Sequence, residues 1–151
     1  MPCLLALLSG RLPDALPPNL AQLWQGGLQQ SYIAIPMVFG AQGDSLAKRL
    51  EHAYTQSFAR VSLAYNQQAT LLAWCLEVAQ KRAEAIVGGQ HRKSYDKAAI
   101  LTVACAEVLR LRGDRAAATG LVNEIRDRFP RHRAFQAELS AAVQSMERGA
   151  R

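Results

Sequence analysis

A chain of 151 residues with a net charge of +6, 50% hydrophobic and 20% charged residues has the size of one domain and the apolar content for one core. That balance excludes a disordered chain, and no apolar run approaches the roughly 20 residues that cross a bilayer, so no membrane contact is expected. Alanine and leucine dominate while aromatics make up only 7%, which favours helix over strand, because these side chains lose little freedom in a helix. The expectation is therefore all-α: a single domain over residues 1–151, built as a small bundle of antiparallel helix hairpins.

Residues 1–18 read as a proline-rich arm. The opening Met1 to Leu8 is too short and lacks the basic residues of a secretory leader. Pro13, Pro17 and Pro18 then forbid a continuous helix, since each removes an amide donor and restricts the residue before it. Residues 19–87 hold the N-terminal helices. Asn19 is placed to cap a helix carrying Leu20, Leu23, Trp24, Leu28, Tyr32 and Ile35 that Pro36 ends or kinks, with a short extended segment over Ile33 to Phe39 as the competing reading. After a turn at Gly40-Ala41-Gln42-Gly43, Asp44 or Ser45 caps a helix from about Leu46, on which Leu50, Tyr54, Phe58, Val61 and Tyr65 form an apolar stripe. Asp44 to Val87 contains no glycine or proline, so a break near Asn66-Gln67-Gln68 is expected before Leu71, Leu72, Cys75, Leu76 and Ala79 resume the stripe. Gly88-Gly89 then closes it as a glycine C-cap. Trp24 and Trp74 both lie in apolar settings and are assigned to the core.

Residues 94–151 form a hairpin and a terminal helix. Ser94 caps a helix with Asp96 in its first turn. Tyr95, Ala98, Ala99, Thr102, Cys105, Ala106 and Leu109 make its main stripe, and Ile100, Leu101, Val103 and Val108 make most of its circumference apolar. A helix apolar nearly all round is a central one. Gly113 turns the chain, Asp114 caps the next helix, and Pro130 stops it after Phe129. A last amphipathic helix carries Phe135, Leu139, Val143 and Met146 on one face.

Leu109, Gly113, Ala118 and Pro130 resemble the apolar, small-residue and proline positions of a tetratricopeptide unit. That resemblance covers about one repeat of roughly 34 residues and implies two antiparallel helices, stacked copies of which form a groove for peptides or partner proteins; no second copy stands at that period in this chain. Thr102 stands where that family has an aromatic and Ala106 where it has a glycine. A second resemblance runs over residues 80–139, similar to the helical tail of SWIM-type zinc-finger proteins, and implies an accessory helical domain of a larger protein. The CxC and CxH metal motif of those proteins is absent, so nothing of their zinc chemistry carries over.

The candidate chemistry is sparse. His52, His91 and His132 lack the i, i+3 or i, i+4 companions that put two metal ligands on one helix face. Cys3, Cys75 and Cys105 form no CxxC pair, and the odd count suits a reducing cytoplasm, with Cys75 and Cys105 acting as small hydrophobes. No nucleophile elbow, zinc-protease helix or phosphate loop occurs. The acidic pairs Glu77 and Glu84, and Asp96 and Glu107, read as solvated helix faces. No catalytic, cofactor or metal residue is assigned, and the chain is not expected to be an enzyme.

Charge is the remaining signal. Residues 1–75 hold 4 Lys/Arg against 3 Asp/Glu, whereas 76–151 hold 14 against 9. The densest cluster is Arg126, Arg128, Arg131, His132 and Arg133, with Lys81, Arg82, Arg92, Lys93 and Lys97 as a second. The first cluster is the candidate partner-binding surface, and a protein partner is the leading expectation. The alternative is a nucleic-acid accessory module using the same residues along a phosphate backbone, against which stands the lack of interleaved aromatics to stack bases.

Overall fold

Twelve residues of one 17-residue helix, from Tyr95 to Leu109, are buried, and the architecture follows from that. The computed structural model describes residues 1–34 and 43–149. Among the described residues it holds seven α-helices and no strand: α1 (Pro2–Leu8), α2 (Pro18–Ala34), α3 (Gly43–Arg60), α4 (Tyr65–Ala83), α5 (Tyr95–Leu111), α6 (Arg115–Arg128) and α7 (Arg133–Gly149). The all-α bundle expected from composition is what forms. Helices α1, α2, α4, α6 and α7 all pack on α5. Ala98, Ala99, Ala104 and Ala106 let them approach closely, because each presents only a methyl group at the contact.

The hairpin turn between α5 and α6 follows residue by residue from the sequence. Gly113 adopts φ +87, a left-handed conformation in which a Cβ is strained. Its amide donates to the Arg110 carbonyl at 3.0 Å, and the Asp114 amide donates to the Leu109 carbonyl at 3.0 Å. Together these satisfy the last carbonyls of α5 in a Schellman turn. The Asp114 carboxylate then accepts from the Ala117 amide at 2.8 Å, capping α6.

The break before α4 falls at residues 61–64 rather than at Asn66-Gln67-Gln68, and Gln67 folds back to accept from the Ala64 amide at 2.9 Å. At the other end α4 passes into a π-helical turn, Glu84–Gly88. The glycine C-cap expected there is not what forms, since the residue with positive φ is Gln90 at 56. Gly89 serves a different purpose: a Cβ on it would lie 2.5 Å from the Ala85 carbonyl oxygen. Ser94 occupies the N-cap position of α5 without a side-chain bond, after a 3-10 turn at Arg92–Ser94.

Several other expectations are corrected. The segment read as an arm contains α1, whose Leu5, Ala6 and Leu8 are buried. Gly27 permits this docking, because a Cβ there would approach Pro2 at 3.2 Å. Trp74 is 48% exposed rather than core, since the buried face of α4 is Leu72, Cys75, Ala79 and Ala83, one position out of phase with it. Trp24 is buried, and its ring meets Tyr54 and Phe58 of α3 at 5.2 and 5.8 Å. The Pro36 stop, the extended reading beyond Ala34 and the turn at residues 40–42 lie outside the described residues. Helix α3 starts at Gly43, ahead of the expected Leu46.

Candidate functional site

The basic residues near the α6–α7 turn point in different directions. Residues 126 and 128 are two apart on a helix, so their side chains leave α6 in nearly opposite directions. Arg128 reaches the π-helical turn that follows α4, where it pairs with Glu84, and it also pairs with Glu124 one turn back on its own helix at 2.7 Å. Arg126 turns the other way, toward α7, and donates to the Asn123 side chain at 3.0 Å. His132 is half-buried in an aromatic knot, its ring 5.7 Å from Phe129 and its Nδ1 3.3 Å from the Tyr95 hydroxyl. Phe135 closes that knot, 5.8 Å from both Phe129 and Tyr95. Arg131 and Arg133 remain exposed, and their side chains make no ion pair among the described residues.

Two contacts join this turn to the second basic cluster. Tyr95 follows directly on the 3-10 turn carrying Arg92 and Lys93, and its hydroxyl meets His132. Glu84 lies two residues after Arg82 and holds Arg128. The end of α4, the start of α5 and the α6–α7 turn therefore share one end of the bundle, presenting Arg82, Arg92, Lys93, Lys97, Arg131 and Arg133 as exposed cations. Lys81 is tied to Glu77 within its own helix.

A second basic feature was missed by reading charge density along the sequence. Between α6 and α7 runs an open groove of about 400 Å³, edged by Arg110, Arg115 and Arg126 and floored by Val122, Val143 and Met146. Its phase was present in the sequence: residues 115, 122 and 126 are seven and eleven apart from the first, which returns them to one helix face.

Glu107 and two of the three cysteines are buried in the helix packing. Glu107, read as a solvated residue, is 2% exposed and caps the start of α2 from the central helix. Its Oε1 accepts from the Asn19 amide at 3.1 Å and from Asn19 Nδ2 at 2.7 Å, and its Oε2 accepts from the Leu20 amide at 2.8 Å. Asn19 is thus a donor inside the first turn rather than the expected cap, and it also donates to the Ala142 carbonyl of α7 at 3.0 Å. Burial raises the Glu107 carboxyl above the ordinary carboxylate range, against the opposing pull of these hydrogen bonds and of Arg110. Burial also raises the Cys75 thiol and pushes Cys105 up to about 12, which leaves neither as a thiolate at neutral pH. No three His, Cys, Asp or Glu side chains gather as a metal site among the described residues. No helix among them is long and apolar enough to cross a membrane.

No family model matches the chain, and no curated protein and no solved structure is significantly similar to it.

Proposed function

We propose that this chain is a non-catalytic helical interaction domain of the cytoplasm that holds a protein partner through its basic end. The convergence of two basic clusters, separated in sequence, at one end of the bundle carries this reading. Support for a tetratricopeptide-like hairpin comes from the Gly113 turn and from Ala118, 2% exposed beneath it. The non-catalytic part is supported by the buried, protonated thiols and by Glu107, whose two oxygens are occupied in holding a helix start.

The test is affinity capture from the native source with wild type and with an Arg131→Ala, Arg133→Ala, Arg92→Ala variant, both checked for equal thermal stability. A partner held by wild type and lost from the variant is expected. Capture indifferent to the three substitutions overturns the reading. The same cations also favour a nucleic-acid accessory module, which salt-titrated binding to labelled duplex DNA and RNA separates: a phosphate-backbone ligand loses affinity steeply as salt rises.

A further inference from the structure

Resting on that interaction reading, we propose that the groove between α6 and α7 seats an acidic amphipathic helix of the partner protein. The charge around the groove is one-sided. Arg110 comes from the end of α5, Arg115 from the first turn of α6 and Arg126 from its last, against the single carboxylate of Glu147 on α7. Arg115 is exposed, and neither it nor Arg110 makes a side-chain hydrogen bond or ion pair among the described residues, although Arg110 also attracts the buried Glu107 carboxyl; Arg115 is thus the guanidinium most open to a ligand.

The spacing suits a helix. Arg115 and Arg126 lie on one face of α6, about 16 Å apart at 1.5 Å of rise per residue, with Val122 between them. Val143 and Met146, three apart on α7, complete the apolar floor from the opposite helix. An occupant with leucine or methionine at i, i+3 and i+7 would meet these apolar side chains. Carboxylates flanking that stripe would reach the guanidinium groups, which bind carboxylates in a bidentate fork. Methionine adapts its shape to such a guest. Glu147 favours a basic residue at one place in the ligand and so fixes its direction. The apolar floor and the lack of an aromatic ring in the groove favour a peptide over nucleic acid, which needs rings for base stacking.

The probe is a fluorescein-labelled 16-residue helical peptide with a leucine and methionine stripe flanked by glutamates, titrated against the full chain by anisotropy. Wild type should bind it. Arg115→Glu with Arg126→Glu should weaken binding about tenfold or more, as loss of paired interfacial charge does, and Arg115→Gln with Arg126→Gln serves if the double reversal unfolds the chain. Replacing the peptide's leucines and methionines with serine should abolish binding. No binding of the probe, equal binding by the serine peptide, or indifference to the groove variants overturns the groove assignment. If Arg131→Ala, Arg133→Ala removes binding while the groove variants do not, the basic end stands as the interaction surface and the groove falls. If duplex DNA displaces the peptide and binds more tightly, both readings fall together.

Discussion

Helices α5 and α3 are of similar length, yet they are held in opposite ways. Helix α5 is buried around nearly its whole circumference by alanine, valine and leucine, with five other helices resting on it. Helix α3 packs chiefly on α2, through the half-buried rings of Tyr54 and Phe58 against Trp24. Bulky aromatics on one face anchor a helix to a single neighbour. Small residues on every face make a helix the common support of a fold. A perturbation near α5 is therefore global, and one in α3 local.

The largest effect tests that difference directly. Phe135 is fully buried in the α5-centred core, and Phe135→Ala should lower global stability by about 3–5 kcal/mol in a denaturant titration. Phe58→Ala in the α2–α3 seam should cost about 1–2 kcal/mol. Hydrogen exchange should then show faster opening of the described part of α3 while α5 amides keep their protection. Equal losses of protection in both helices would show that the seam is coupled to the core after all.

Glu107 joins the central helix to α2 and sharpens the comparison by pH. Glutamine in its place keeps one acceptor and leaves at least one of three donors without a partner, which should cost about 1–3 kcal/mol. Because the folded carboxyl is raised, the native protein holds this proton more tightly than the unfolded chain. Its contribution is complete below the ordinary value of 4.5 and is lost as pH rises through the folded value. The stability difference between wild type and Glu107→Gln should shrink as pH rises above 4.5 and through the raised folded value. A difference that stays flat would show that the three donors at the start of α2 fully offset the burial.

What the sequence made legible was local chemistry: the all-round apolarity of α5, the turn at Gly113-Asp114 and the Leu50, Tyr54 and Phe58 part of the α3 stripe each depend on residues within a few positions of one another, whereas Val61 and Tyr65, expected to continue that stripe, lie past the helix end and are exposed. Remote pairing was not legible. Glu107 between Ala106 and Val108 looks the same whether it meets water or the start of a helix 88 residues earlier. The three prolines mark a break in the helical pattern but say nothing of where the apolar residues of α1 dock, beside Gly27, where a Cβ would stand 3.2 Å from Pro2. Trp74 lies in an apolar stretch, yet its phase against Leu72, Cys75 and Ala79 places it outside. The same lesson holds at the candidate site, where adjacent arginines diverge and Arg115 and Arg126, eleven apart, share a face.

The smallest effects come from two glycines on either side of the α6 start, and they should differ in sign. A Cβ at Gly113 or at Gly120 meets no atom within 4 Å, so space decides nothing at either position. Gly113 sits at φ +87, where an L side chain is strained, and Gly113→Ala should destabilise by about 1–2 kcal/mol. Gly120 lies inside α6 with helical geometry, so Gly120→Ala should stabilise by about 0.5–1 kcal/mol through lower backbone freedom in the unfolded chain. Thermal melts of the two variants read the contrast. A stabilising Gly113→Ala would mean that α5 and α6 continue as one rod, since only a helical backbone at that position rewards alanine.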